Sequence, residues 1–480
     1  MPEEFKNVWS NITDDEKDLI FKYNEGYIGF LNQVKTEREF VDYAVPILIR
    51  NGYKDIEEYF SKGGKLKPGD RVFQNIHGKS LILAVIGSEK CENGFNIIGS
   101  HVDSPRLDFK QKPIYEENDT VYAKTHYYGG IKKYQWFSVP LALHGVVITK
   151  TGETVKIVIG EDEKDPCFII TDLLPHLANE QMKKTLAEAF PGENLNIILG
   201  SVKSGNENKG ENSNENEEVK TEANADKNVL KSNILSIIKN KYGIEEDDFI
   251  SSEIEAVPAY KARDIGLDRG IVGAYGQDDR VCAYASLSAI LDTEPENIKK
   301  TAIVYFSDKE EVGSMGNTGA RSKSLENFIF YICSLSSPDY SDFILRRCIS
   351  ASHMLSADVT AAVDANYDVQ DKKNSSYFGR GVVIEKYTGS KGKSSANDAN
   401  PEFIALLRNI FDSNNIFWQT GEIGKVDMGG GGTIAQFMAN LGMQVVDCGV
   451  PVLGMHSPFE LVSKADVYYT YKAYHAFYKT

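Results

Sequence analysis

Histidine and carboxylate side chains recur along this chain at points where a short apolar run ends. They are His101 and Asp103 in IIGSHVDSPRL, Asp278 and Asp279 in AYGQDDRVCAY, Glu310 and Glu311 in VYFSDKEEVGS, Asp358 in LSADVTAAVD, and His456 in PVLGMHSPFE. Imidazole and carboxylate ligands without thiolates suit zinc, manganese or cobalt. The set is larger than one ion needs. The sequence therefore predicts a two-metal site of the kind found in aminopeptidases, phosphatases and nucleases.

The first two motifs each have a functional and a structural interpretation. We interpret His101 as a metal ligand and Asp103 as the carboxylate that orients its imidazole and raises its basicity. The alternative is a satisfied pair at a strand end. Asp278 could share its carboxylate between two ions, whereas the alternative is that Asp278 and Asp279 cap the following helix.

Glu310 and Glu311 are the sharpest signal. Two adjacent acids after the apolar run TAIVYF repel each other unless a cation or a proton lies between them. One of them can bind metal while the other acts as general base. A solvated acidic turn is the structural alternative. Asp358 and His456 are weak signals individually and matter because they complete the ligand count.

Four consecutive glycines, 429–432, precede Thr433 and a predicted helix. The run lacks the Gly-Lys-Ser/Thr ending of a phosphate-binding P-loop. We interpret Gly430 and Gly431 as positions where backbone amides approach a ligand closely. A flexible turn is the alternative.

The order of predicted elements indicates an α/β fold with a largely parallel sheet flanked by helices. Residues 1–110 and 254–480 are predicted to form the catalytic domain, since every candidate ligand lies there and ligands of open α/β sheets bind at strand carboxyl ends. Residues 111–253 have the sequence pattern of short antiparallel strands and are predicted to form an inserted β-rich domain. Its acidic tract near 203–228 has almost no apolar residues and is predicted to be disordered.

Composition excludes several classes of partner. The net charge is −16 with no dense basic cluster, so nucleic acid is not an expected partner. The longest apolar stretches are too short to span a bilayer, so no membrane association is expected. Six scattered cysteines without a CxxC pair, and first residues without the features of a secretion signal, indicate reduced thiols and a cytoplasmic protein.

Taken together, the motifs resemble those of the aspartyl-aminopeptidase family of di-metal exopeptidases. The matching segments occur in the family's order across nearly the whole chain: SHVDSPRLDFK, LPHLA, VPAYKARDIGLDRGIVGAYGQDDR, DKEEVGSMGNTGARS, LSAD, GGGGTIA and GMHSPFE. The resemblance implies that the insert is a dimerisation domain and that dimers assemble into a dodecamer. It also implies that the insert lends residues to the neighbouring subunit's active site. Tyr127, Tyr128, Tyr134 and Trp136 are candidate interface aromatics of the insert.

Carried over motif by motif, the resemblance implies a role for each candidate residue. His101, Asp278 and Asp358 would hold one divalent ion, and Asp278, Glu311 and His456 would hold the other. Asp278 would bridge the two, and Glu310 would be the general base. The expected ions are zinc, with manganese or cobalt as alternatives.

Two departures from the family pattern bear on substrate recognition. The LPHLA segment continues with Asn179-Glu180 where the family has Ile-His, which leaves His176 as the nearby histidine. Acid-specific members carry a Lys after a Val-Ile pair, whereas here Val383-Ile384 is followed by Glu385, with Lys386 one place later. We therefore expect a neutral or broad preference for the N-terminal residue of the substrate.

The sequence thus predicts a metalloaminopeptidase that hydrolyses the N-terminal residue from peptides. A di-metal carboxypeptidase or an acyl-amino-acid amidohydrolase is the alternative, with Arg280 and Arg321 as candidates to grip a substrate carboxylate. A non-catalytic shell-forming protein is the remaining possibility.

Overall fold

The chain divides into two compact units. The computed structural model describes residues 5–203 and 228–480. The larger unit comprises Met1–Ser104 and Lys261–Thr480, and the insert unit comprises Pro105–Tyr260. The insert unit begins and ends a few residues outside the 111–253 suggested by the sequence. The acidic tract predicted to be disordered, near 203–228, lies outside the described residues except at its two ends.

Helices and strands alternate along the larger unit and strands dominate the insert unit. The first segment of the larger unit contains α1 (Asp14–Leu31), α2 (Glu37–Arg50), β1 (Lys54–Asp55), α3 (Ile56–Ser61), β2 (Arg71–Ile76), β3 (Ser80–Val85) and β4 (Asn96–His101). The insert unit contains β5 (Arg106–Glu117), β6 (Thr120–Tyr128), β7 (Leu141–Ile148), β8 (Thr154–Ile159), α4 (Leu186–Ala189), β9 (Ile197–Gly200), α5 (Val229–Tyr242) and β10 (Ser252–Pro258). The second segment of the larger unit adds β11 (Arg263–Ile265), β12 (Ile271–Ala274), α6 (Gln277–Leu291), β13 (Ala302–Ser307), α7 (Ser324–Ser336), α8 (Asp342–Ala351), β14 (His353–Ser356), β15 (Thr360–Ala361), β16 (Val382–Glu385), α9 (Pro401–Ser413), β17 (Trp418–Thr420), α10 (Ala435–Ala439), β18 (Gln444–Gly449), β19 (Pro451–Leu453), β20 (Glu460–Ser463) and α11 (Lys464–Tyr478).

The larger unit is a mixed α/β structure built on two sheets. Its nine-stranded sheet has the order β1-β2-β3-β13-β4-β14-β18-β16-β17. The four strands β13, β4, β14 and β18 are mutually parallel, whereas β3 joins β13 and β16 joins β18 in antiparallel pairs. The second sheet has five strands in the order β11-β12-β20-β19-β15.

Helices cover both faces of the nine-stranded sheet because its central strands are apolar on both sides. In β13, Val304 and Phe306 belong to the apolar cluster that includes α1, α2, α6, α9 and α11. The alternate residues Ile303 and Tyr305 belong to the cluster that includes α7, α8 and α10. Side chains along a strand alternate between faces. Continuous apolar runs such as TAIVYF are therefore the pattern of a strand buried on both sides.

The insert unit is a six-stranded antiparallel sheet in the order β8-β7-β10-β5-β6-β9. It also contains α5, a helix that the β-rich interpretation of this segment missed. We expected Trp136 at the surface, but it is fully buried. Tyr127 and Tyr134 are exposed, as expected. Across 5–203 and 228–480, no helix combines the length and the apolar character needed to cross a bilayer.

Candidate metal centre

Three neighbouring parallel strands deliver three of the five candidate ligands. His101 is the last residue of β4, and the turn Glu310–Val312 follows β13. Asp358 comes two residues after the end of β14. The register places Ser307 opposite His101 and Ser356 opposite Gly99, so the three strands end at one edge of the sheet. This edge of the sheet is where the sequence analysis predicted a metal site.

The five-stranded sheet delivers the other ligands. Asp278 follows β12, and His456 lies between β19 and β20. Glu460, the first residue of β20, holds both in place. One of its carboxylate oxygens accepts a hydrogen bond from the Asp278 backbone N–H at 3.0 Å, and the other accepts from the His456 backbone N–H at 2.7 Å.

The five predicted ligands form one cluster with Asp278 at its middle. Asp278 Oδ1 lies 3.2 Å from His101 Nε2, and its Oδ2 lies 3.1 Å from His456 Nε2. Asp358 lies 3.6 Å from His101 Nε2, and Glu311 lies 3.4 Å from His456 Nε2. The two oxygens of one carboxylate thus face two different imidazoles, which is the arrangement expected of a bridging ligand.

Asp103 organises the residues around it through both its backbone and its side chain. Its backbone carbonyl lies 3.0 Å from His101 Nδ1, and a carbonyl can only accept, so Nδ1 carries the proton and Nε2 is left with a lone pair. Its carboxylate accepts hydrogen bonds from the backbone N–H groups of Glu310 at 3.1 Å and Glu311 at 3.2 Å. Asp103 therefore fixes the imidazole tautomer and the position of the two glutamates.

The donor atoms fit a divalent cation. His101 Nε2, Asp279 Oδ1 and Glu311 Oε1 are buried and have no hydrogen-bond partner among the described residues. His101 Nε2 is close to Asp278, but with the proton on Nδ1 it has no hydrogen to donate to that carboxylate. Buried polar atoms left without a partner are costly. Donor atoms within 4.8 Å of one another occur in two sets, His101 with Asp278 and Glu311, and His101 with Asp279 and Asp358.

The electrostatics of the cluster also call for positive charge. Burial, together with the nearby carboxylates of Asp358 and Asp103, raises the pKa of Glu310 to about 8. Burial and the charge of Asp278 raise the pKa of Glu311 well above its usual value. Burial also raises the pKa of Asp278, but contacts with two imidazoles outweigh it and hold that pKa below its usual value. Cations among these carboxylates would offset both burial and repulsion.

The structural alternatives for the two acidic pairs do not match the structure. Asp278 and Asp279 have backbone angles outside the helical region, and the N-cap position of α6 belongs to Gly276, which has no side chain to cap with. The Glu311 side chain is only 3% exposed, and burial is the largest cause of the raised pKa of Glu310, so Glu310 and Glu311 are not a solvated turn. Both pairs are directed into the cluster.

Two of the predicted substrate residues, Glu385 and Lys386, differ in burial. Glu385 is buried, and its carboxylate accepts a hydrogen bond from the Thr360 hydroxyl. It stands opposite Asp447 in the β16–β18 ladder, and burial raises the pKa of Glu385 to about 8. Lys386 is exposed and pairs with Asp398.

The remaining predicted substrate residues are exposed. Gly430 has φ +119° and packs so closely on Gly389 that a Cβ would lie 1.5 Å from its carbonyl oxygen, whereas Gly431 has open space around it. His176 lies in the insert unit on an exposed turn, Pro175–Leu177. The roles of these residues toward substrate stay predictions.

Sequence reasoning missed two residues of the centre. Glu460 ends the GMHSPFE motif that drew attention to His456, and its acidic side chain after an apolar residue was the available signal. Asp279 was considered only as a cap, although its carboxylate oxygen lies 3.4 Å from the His101 backbone nitrogen. Both are fully buried carboxylates.

A cluster of imidazole and carboxylate donors at the carboxyl edge of an α/β sheet, with a spare glutamate beside it, defines the class of metal-dependent hydrolases. The two arginines that were candidates to bind a substrate carboxylate both lie against aromatic rings. Arg280 is fully buried with its guanidinium 5.1 Å from the Tyr275 ring centroid, and Arg321 lies over Phe437.

Comparison with known proteins specifies the class. Residues 30–478 match the family model described as aminopeptidase I zinc metalloprotease (M18). The chain is 49% identical over 477 residues to a probable M18 family aminopeptidase 1 of Clostridium acetobutylicum, covering 99% of this chain and 98% of the relative. A crystal structure of an M18 aminopeptidase from Thermotoga maritima matches with a TM-score of 0.89 at 41% identity, over 99% of each chain. A crystal structure of aminopeptidase I from Clostridium acetobutylicum matches with a TM-score of 0.88 at 46% identity, over 100% of each chain.

The chain therefore belongs to the M18 family of zinc aminopeptidases. It is a metallopeptidase that cleaves N-terminal residues from peptides, as the sequence predicted. The carboxypeptidase, amidohydrolase and shell-protein alternatives are set aside by this membership.

Proposed function

We propose that this aminopeptidase works through two divalent ions, with Asp278 bridging them and Glu310 as general base. His101 and Asp358 complete one ligand set, and Glu311 and His456 complete the other. The observation that carries the proposal is the position of Asp278, whose two oxygens face His101 and His456 at 3.2 and 3.1 Å. The ions are proposed to be zinc, with manganese or cobalt as functional substitutes.

Divalent ions held there would polarise the scissile carbonyl and make a water molecule more acidic. The protein's own residues supply the rest of the mechanism. Glu310 follows Lys309, whose ammonium is engaged with Asp308 and with Thr318 at 2.6 Å, so Lys309 does not neutralise the Glu310 carboxylate. Glu310 accepts a proton from the attacking water and passes it to the leaving amine. Asp103 holds the Glu310 backbone in place while this occurs.

Metal removal tests the two-ion proposal. Incubation with a chelator is expected to abolish peptide hydrolysis, and zinc, manganese or cobalt should restore it. The midpoint of thermal unfolding should also fall, because buried carboxylates lose the charge that offsets their repulsion. Peptide hydrolysis and differential scanning calorimetry measure the two effects, with zinc-saturated chelator as control. Hydrolysis that is insensitive to chelation, or a preference for N-acetylated peptides, would contradict the proposal.

We also propose that Glu385 disfavours substrates with an acidic N-terminal residue. A like charge in a partly desolvated pocket typically costs several kcal/mol. Because the pKa of Glu385 is about 8, Glu385 carries this charge mainly above that pH, where the repulsion should be strongest. Glu385 is held beside the centre by Thr360, two residues after Asp358, while Lys386 is held by Asp398. The lysine therefore already has an acidic partner.

A panel of peptides that differ only in the N-terminal residue tests this specificity. We expect Leu and Lys to be removed faster than Asp and Glu with each of zinc, manganese and cobalt. Glu385→Gln should raise kcat/KM for N-terminal Asp relative to Leu when measured above about pH 8, where Glu385 is charged, because the repulsive charge is removed and the shape is kept. Lys386→Gln, at the adjacent position, is the matched control variant. A strong preference of the unaltered enzyme for Asp or Glu would refute the role given to Glu385.

Self-association is the remaining part of the proposal. The family resemblance supports an insert unit that forms dimers, and dimers that assemble into a dodecamer. Exposed apolar residues of the insert unit, such as Leu177 and Met182, suit such an interface. Static light scattering at micromolar concentration is expected to report a large assembly. A monomer with full activity would exclude a functional interface. The free cysteines support a cytoplasmic location.

A further inference from the structure

The insert unit contains an apolar cavity of about 230 Å³ between α5 and the six-stranded sheet. From the helix, Ile234, Ile237 and Ile238 line it at the i, i+3, i+4 spacing of one helical face. From the sheet side, Leu143 and Leu199 contribute. Apart from Lys241 and Tyr242, every residue lining the cavity has an apolar side chain.

The size of this cavity is unusual for a packed interior. Protein cores contain few voids larger than a water molecule. An engineered apolar cavity of about 150 Å³ stays free of water and binds benzene. Ile237 lines the present cavity and is also 52% exposed, so the space reaches the surface beside α5. The cavity is therefore both large enough and open enough to admit a small apolar molecule.

Among the described residues that line the cavity, one is a cation, in a chain whose net charge is −16. Lys241 follows Ile237 by one helical turn and is exposed. The other lysines of α5 are engaged, Lys239 with Glu245 at 3.0 Å and Lys231 with Glu246 at 2.6 Å. Lys241 forms no ion pair within the part of the chain that the structure describes. Its ammonium lies 5.2 Å from the Tyr242 ring centroid, and the Tyr242 hydroxyl and, more weakly, the Asp165 carboxylate raise its pKa. The cavity thus joins an apolar interior to one positive charge at its edge.

We propose that this cavity binds the alkyl chain of a medium-chain carboxylate and that Lys241 pairs with the carboxylate. Scaling from benzene in a cavity of about 150 Å³, the available space suits a chain of about eight to ten carbons. The inference goes beyond the aminopeptidase activity, since every proposed catalytic and metal-binding residue belongs to the larger unit.

Calorimetric titration of the full-length enzyme with octanoate and with 1-octanol tests both parts of the proposal. Both ligands should bind, and octanoate should bind more tightly. Lys241→Ala should weaken octanoate binding about two- to fivefold, the range for an exposed ion pair, and leave 1-octanol binding unchanged. Lys239→Ala, which removes a lysine of the same helix that already has a partner, should change neither.

Two cavity-filling variants locate the binding. Ile238→Trp fills the space from the helix and Leu199→Phe fills it from the sheet, and each should weaken both ligands at least about tenfold while peptide hydrolysis is retained. No heat of binding up to millimolar octanoate, or binding unaffected by both filling variants, would overturn the site. Equal affinities of the two ligands, unaltered by Lys241→Ala, would overturn the carboxylate as the occupant. A change of oligomeric state in both filling variants would instead assign the cavity to a side chain of a second copy.

Discussion

Glu310→Gln is expected to lower kcat by roughly 10²–10⁴-fold, the range for loss of general-base catalysis. The amide has nearly the shape of the carboxylate but cannot accept a proton at neutral pH. The hydrogen bond that positions this residue is made by its backbone N–H to Asp103, so the substitution leaves it in place. Folding and assembly should therefore be unchanged. Steady-state hydrolysis and the midpoint of thermal unfolding measure the two effects.

Metal content separates loss of a base from loss of a ligand. Because Glu310 is assigned to proton transfer, the Gln variant should keep the same metal content per chain as the unaltered enzyme. Glu296→Gln, an exposed acid of the same unit, is the matched control and should change neither quantity. Unchanged turnover in Glu310→Gln would remove this residue from the mechanism. A loss of metal in that variant would make it a ligand.

The sequence could predict that the candidate ligands lie close together because strand ends can be read from it. The apolar runs before His101 and before Glu310 are long enough to be strands and too short to be helices, and β4 and β13 are parallel neighbours. Two polar groups that follow neighbouring parallel strands must lie at the same edge of the sheet. This geometric rule brings His101, Glu310 and Asp358 together without any knowledge of side-chain contacts.

The supporting hydrogen bonds could not be read in the same way. Glu460 binds the backbone N–H of Asp278, 182 positions earlier in the chain, and nothing in the spacing of either motif encodes that contact. Asp103 was expected to orient His101 through its carboxylate, and one oxygen of that carboxylate does lie 3.3 Å from His101 Nδ1. Its backbone carbonyl accepts from the imidazole, and its carboxylate also anchors the glutamate turn. Such contacts depend on how two loops approach each other in space.

The insert unit shows a second limit of sequence reasoning. The segment VLKSNILSIIKNKY places apolar residues at helical spacing, but it follows directly on the acidic tract and was included in a β-rich interpretation. It forms α5, the helix that lines the apolar cavity. Trp136 was expected at a surface because aromatics are enriched at interfaces. Whether an aromatic residue fills a domain core or a contact surface depends on tertiary packing, and Trp136 is buried.

Asp278→Asn is expected to have the second large effect, because one carboxylate is proposed to serve both ions. The amide offers one neutral oxygen in place of two charged ones. Replacing a residue that only supports a metal ligand lowers metal affinity about 10–100-fold. Loss of the bridging ligand itself should lower the affinity at least that much. We expect fewer than one ion per chain after dialysis and hydrolysis near background. Elemental analysis by plasma mass spectrometry and titration with zinc measure the loss.

Comparison with variants of the non-bridging ligands makes the assignment of Asp278 specific. Asp358→Asn removes a ligand from one set and His456→Ala from the other, so each should retain about one tightly bound ion. Asp278→Asn should retain neither, because the carboxylate oxygens that face His101 and His456 belong to the same residue. Asp339→Asn, an exposed acid of the larger unit, should keep the full metal content. If Asp278→Asn keeps one tight ion, as the other two variants do, Asp278 belongs to a single ion and does not bridge.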